Sequence, residues 1–156
     1  MDAFFVAIEA TPIAEALRHA RWGYAVVNAA HILGFCLLVG AIIPLNLRLL
    51  GVWWDISRRS LIRVLAPVAA AGLALAVAAG LLLFSVRARE YAGTEIFQAK
   101  LLFVMAGTAA ALAMHCVHGF LLDRASDSRL RRHALLSVTC WIGALICGRL
   151  VAFSGS

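Results

Sequence analysis

Three stretches of this chain, residues 22–47, 64–86 and 101–122, contain no charged side chain, and a fourth, residues 134–153, is broken only by Arg149. A helix rises about 1.5 Å per residue and bilayer hydrocarbon is about 30 Å thick, so roughly 20 apolar residues are enough to cross it. All four stretches meet that requirement. A soluble domain of 156 residues has no interior large enough to hide four such runs. Composition agrees, with 63% apolar and only 14% charged residues, far from the balance of a water-soluble fold. The expected fold is all-α: an integral membrane four-helix bundle forming one transmembrane domain over residues 1–156. Its spans are expected near residues 18–48, 61–86, 95–122 and 133–153, with a short amphipathic surface helix at the N-terminus. Too little chain is left for a separate extramembrane module, so any chemistry is expected between the helices. An electron-transfer protein or subunit suits this layout better than a stand-alone enzyme.

The segment MDAFFVAIEA has an acidic second residue, no basic leader and a short apolar patch, so it reads as a surface segment and not as a signal peptide. Thr11 followed by Pro12 and Glu15 is a helix-start pattern: a capping hydroxyl, proline at the first helical position and an acid in the first turn. That helix is expected to begin near Pro12 and run into the first span, with Pro44 kinking or ending it. The net charge of +6 is spread over loops, not gathered on one soluble face, which argues against a nucleic-acid partner. Arg48, Arg58, Arg59 and Arg63 fall between spans one and two, and Arg124, Arg129, Arg131 and Arg132 between spans three and four. Arg18, Arg21, Arg87 and Arg89 fall on the other side, with Lys100 and Arg149 at span ends. The positive-inside rule therefore predicts a bacterial inner-membrane protein with the first group cytoplasmic and both termini outside.

Small residues recur every fourth position at Gly72, Ala76 and Gly80, and again at Gly107, Ala111 and Gly119, where His115 joins the strip. Such strips let helices approach closely in lipid. The first is expected to be a packing surface; the second, beside an imidazole, could also admit a flat macrocycle. Homo-oligomerisation stays open. Cys36, Cys116, Cys140 and Cys147 form no C-x-x-C or C-x-x-C-H pattern, so neither structural zinc nor covalently attached haem is expected.

Ionisable groups inside a span are expensive and normally have a partner or ligand. His31 lies within the first span and His115 within the third, with His118 one turn further. Neutral imidazole suits haem iron or copper, and a non-covalent haem b held by His31 and His115 as metal ligands accounts for both. Its propionates would need cations: Arg149 first, Lys100 second. His118 is a secondary ligand, a second-site residue or a proton carrier. On charge-free lengths the two rings are offset in depth by roughly 10 Å at about 1.5 Å per residue, which tilt would have to absorb. Three functions are thus open. One is a b-type cytochrome exchanging electrons with a quinone or a redox partner protein. The second is a copper-handling or transport protein using His115 and His118, with Met114 or Cys116 as a further ligand. The third is a cofactor-free anchor or assembly subunit.

The run HILGFCLLVGAIIPLNLRLLG (31–51), the segments GLLLF (80–84) and FQAK (97–100), His115 and the closing WIGALICGRLVAF (141–153) carry a resemblance. Together they resemble a family of small bacterial multi-pass membrane proteins known only as a domain of unknown function. The resemblance implies a four-helix membrane protein with intramembrane His31 and His115 and polar span-end residues Arg48, Lys100 and Arg149; it implies no activity. This chain departs from the pattern at Asn46, where an acid is frequent, and at Ala79, where threonine is frequent.

Overall fold

The computed structural model describes residues 2–154, all of whose regular structure is helical: α1 (Asp2–Glu9), α2 (Pro12–His19), α3 (Arg21–Leu50), α4 (Arg58–Val86), α5 (Ala88–Ala92), α6 (Glu95–His118) and α7 (Asp127–Ser154). Helices α3, α4, α6 and α7 are each long and apolar enough to cross a membrane. Leucine, isoleucine and valine side chains such as Val26, Ile32, Val64, Leu81, Leu102 and Leu112 are exposed on their outer faces. In water that pattern would be unfavourable. In lipid it costs nothing, since acyl chains are as apolar as the side chains. The chain is therefore a multi-pass membrane protein with an all-α architecture.

Several helix boundaries differ from the sequence expectation, among them the start of α7, which is at Asp127 and not near residue 133. The Pro12 helix does not continue into the first span: Ala20 (φ −91°, ψ 86°) breaks it, leaving α2 as a separate surface helix. Its start is as expected, with the Thr11 hydroxyl accepting from the Ala14 N–H at 3.4 Å and Pro12 in the first turn. Pro44 does not end α3, which continues to Leu50; the residue four positions earlier, where a proline ring crowds the helix, is Gly40, with open space beside it. Gly51 then closes α3 with φ 107°, its N–H bonding the Arg48 carbonyl while the Val52 N–H bonds that of Leu47. This left-handed cap satisfies carbonyls that the helix end would orphan. Finally, α6 stops at His118, and Gly119 (φ 79°) turns the chain away. Gly119 is thus a turn residue and not part of a helix-packing strip.

Neighbouring spans follow the order α4, α3, α7, α6, while α4 and α6, like α3 and α6, have no Cα atoms within 8 Å of each other among the described residues. The α3/α4 contact is the tightest. A Cβ on Gly34 would lie 2.5 Å from the Ala76 N, and one on Gly72 would lie 2.6 Å from the Leu38 N, so the two backbones touch across paired glycines. Between α3 and α7 the buried Asn46 amide donates to the Ser137 hydroxyl at 2.9 Å. Between α6 and α7, Trp141 packs over Gly107 and Phe103 over Gly143.

At one end α3, α4, α7 and the turn after α6 meet on Leu49, Ile62, Leu122, Leu130 and Ala134, where the start of α4 is tied to that turn by the Arg59–Asp123 pair at 2.9 Å. At the other end the Phe84 and Phe97 rings stack at 5.6 Å, and α1 is held by Glu9, which accepts from the Arg89 N–H at 2.9 Å and from its guanidinium at 3.0 Å. Those donors hold the Glu9 carboxyl below its ordinary range, the backbone N–H contributing most.

Candidate functional site

His31 is the best-positioned imidazole. It lies one helical turn before Gly34, where α3 and α4 are closest, and its half-buried ring lies over Gly80 of α4. A Cβ on Gly80 would sit 3.1 Å from the ring, so glycine gives the imidazole its place. His31 Nδ1 is 2.7 Å from the Ala76 carbonyl oxygen. A carbonyl can only accept, so Nδ1 carries a proton, and in the neutral ring it is Nε2 that presents a lone pair. An imidazole oriented by an Nδ1–H bond to a backbone carbonyl is the arrangement that readies Nε2 to bind a metal or accept a proton. The strip Gly72, Ala76, Gly80 thus forms a packing surface and also seats His31.

Lys100 enters the same end of the bundle from α6. Its aliphatic chain runs past Gly148 of α7, with Cε 3.5 Å from where a Cβ would be, and its ammonium lies within electrostatic range of His31 and of the Cys147 thiol. An imidazole, a thiol and an ammonium therefore lie towards the same end of the bundle. Arg149 does not turn inward with them. It is exposed, and its guanidinium lies 4.5 Å over the Phe153 ring, the position of an arginine reaching towards the interface.

His115 is placed elsewhere. It lies twenty residues into α6, whereas His31 lies ten residues into α3, and both helices start from the same face. At about 1.5 Å per residue the rings differ in depth by roughly 15 Å, on helices whose backbones do not meet. Two imidazoles sharing one iron must both reach it with bonds of about 2 Å. His31 and His115 are not brought together in that way. His115 Nδ1 donates to the Phe120 carbonyl at 3.1 Å and the ring stacks on Phe120 at 5.9 Å, so it fastens the turn that follows α6. The His133 imidazole of α7 is its titratable neighbour. His118, the last residue of α6, is buried beside that turn and far from His31.

The far end of the His115 strip, two turns away at Gly107, is filled. The Trp141 ring lies 3.1 Å from the position of a Cβ on Gly107, so this part of the strip is occupied by a side chain of α7. The Trp141 indole N–H is buried with no hydrogen-bond partner among the described residues. Among the described residues no three His, Cys, Asp or Glu side chains converge as a metal-binding group.

Two interior features escape sequence reading: the Asn46–Ser137 bond and the Trp141–Gly107 contact. An asparagine, a serine and a tryptophan within spans signal that partners exist, but not which ones. Comparison with known protein families, with curated proteins and with solved structures finds no match for the chain.

Proposed function

We propose that this membrane protein is a b-type haem protein of the electron-transfer class, anchored through His31 alone and not through a His31–His115 pair. The observation that carries this reading is the His31 Nδ1–H bond to the Ala76 carbonyl above Gly80, which leaves Nε2 as an oriented, unprotonated donor inside a span. Lys100 supports an anionic ligand over a bare cation. An ammonium near His31 would repel a copper ion and attract a propionate or another carboxylate. Arg149, one residue from Gly148, is available at the same end as a second, peripheral cation.

In this reading Nε2 of His31 would hold the iron, and the bond to Ala76 would fix the ring and strengthen it as a ligand. The haem would supply one-electron exchange with a quinone or a redox partner protein. His115 and His118 have no part in it. The arginine-rich loops are proposed to face the cytoplasm of a bacterial inner membrane, with both termini outside.

The test is the composition of the detergent-purified chain from haem-replete cells. Acid–acetone-extractable haem near one per chain, with a reduced-minus-oxidised spectrum, is expected. A colourless protein would contradict the haem reading. It would favour the second reading, a cofactor-free anchor or assembly subunit, which draws on the fact that both His31 and His115 are already hydrogen-bonded to backbone carbonyls. A colourless protein with stoichiometric copper would point to metal handling.

A further inference from the structure

We infer that the arginine-rich face carries a binding site for the phosphate of an anionic lipid headgroup. A cavity of about 470 Å³ opens there between the α3/α4 loop and the start of α7, and Arg48, Arg58, Arg59 and Arg131 line it together with Asp127 and Trp54. Four guanidinium groups from three elements face one carboxylate. The positive-inside rule explains why such residues are numerous on one face; it does not explain their convergence on a single cavity.

Their bonding leaves charge to spare. Arg48 is held rigidly, donating from Nε to the Ile56 carbonyl and from Nη2 to the Trp54 carbonyl at 3.0 Å. It therefore shapes the loop without having its charge neutralised. Arg59 is paired with Asp123 at 2.9 Å, but Arg58 meets Asp127 only at 3.9 Å, and Arg131 makes no ion pair among the described residues. The first turn of α4 adds to the positive potential: it starts at Arg58 with no acidic residue, and the positive end of the dipole of a long helix lies there, with the Ser57 hydroxyl capping the Ser60 N–H.

The lipid origin of the phosphate is argued from Trp54. This residue lines the cavity yet is 80% exposed, and its neighbour Trp53 is also exposed, in a backbone conformation with φ 52°. Indole rings presented beside a cationic cavity at the end of membrane spans are placed at headgroup level, where they favour the interface. Guanidinium groups meet phosphate oxygens there with two parallel hydrogen bonds each.

The test is native mass spectrometry of the full chain released from neutral detergent, titrated separately with dioleoylphosphatidylglycerol, dioleoylphosphatidylcholine and inorganic phosphate. Phosphatidylglycerol adducts should exceed phosphatidylcholine adducts at equal concentration. Arg131→Gln should weaken phosphatidylglycerol binding about fivefold, and the Arg58→Gln/Arg131→Gln pair roughly 25-fold, on the usual contribution of one basic residue to anionic-lipid attraction. Arg132→Gln, on the same helix but outside the cavity, should leave it unchanged. Arg131 is exposed, so its replacement should leave the helical circular-dichroism spectrum intact. Equal binding of the two lipids, or equal weakening by Arg132→Gln and Arg131→Gln, overturns the site. Inorganic phosphate binding as tightly as the lipid, with the same loss in the cavity variants, overturns the lipid assignment.

Discussion

Replacing Gly72 by alanine tests whether the α3/α4 contact is as close as described and whether it positions His31. The new Cβ would lie 2.6 Å from the Leu38 N and 2.7 Å from the Gly34 carbonyl oxygen, both backbone atoms, against an ordinary limit of 3.4 Å. No rotamer relieves that clash. The helices must part by about 0.8 Å, an overpacking that costs about 1–3 kcal/mol. Ala76 is one turn along α4, so the same parting stretches its 2.7 Å bond to His31 to about 3.5 Å, forfeiting about 1 kcal/mol. Alanine's better helix propensity returns about 1 kcal/mol. The net loss is about 2 kcal/mol, or about 4–8 °C in Tm for a chain of this size. Thermal unfolding in detergent, followed by circular dichroism, measures it. Gly40→Ala is the internal control, because nothing lies within 4 Å of its Cβ position; its Tm should hold or rise. An unchanged Tm for Gly72→Ala, or an equal fall for Gly40→Ala, would refute the contact.

Three further outcomes follow from the packing. Asn46→Ala should lower stability by about 1–2 kcal/mol, and adding Ser137→Ala should cost much less than the sum of the single changes, since each single change strands the other's buried polar group; denaturant titration of the double-mutant cycle reads this. Trp141→Ala should cost about 3–5 kcal/mol in the same assay, by emptying the space over Gly107. Glu9 ties α1 to Arg89, and its carboxyl titrates below its ordinary value of 4.5. A lowered folded pKa means the contribution is complete above about pH 4.5 and is lost as pH falls through the lower folded value. Protease cleavage within α1 should therefore be independent of pH between about 6 and 8 and rise only in acid, and Glu9→Gln should cleave readily at every pH.

The four spans were legible because bilayer thickness demands a length of charge-free sequence that no short soluble helix needs. Their neighbours were not. In lipid an outward leucine and an inward one are equally apolar, so the order α4, α3, α7, α6 leaves little trace in hydrophobic pattern. The Gly72 strip read correctly as a packing surface, yet its partner, Gly34 of α3, carries no mark that distinguishes it from Gly40, which touches nothing. His31 signalled that a partner was needed, but the partner is a backbone carbonyl, and carbonyls have no sequence signature. The depth mismatch between His31 and His115 was visible in the charge-free lengths; tilt does not remove it, because α6 ends at His118, placing His115 in its last turn. Gly119 misled for a related reason: fourfold spacing places it on the strip, while its positive φ makes it a turn. The arginines were legible as loop charge, but their convergence on one cavity depends on how the α3/α4 loop folds back onto Arg48.

The most direct measurement of the His31 assignment is the reduced-minus-oxidised absorption spectrum of His31→Ala and His115→Ala, purified in parallel with the parent chain. With Nε2 of His31 as the protein ligand, His31→Ala should abolish the haem spectrum, while His115→Ala keeps the band positions and the haem stoichiometry. A spectrum lost in His115→Ala and retained in His31→Ala would contradict the assignment.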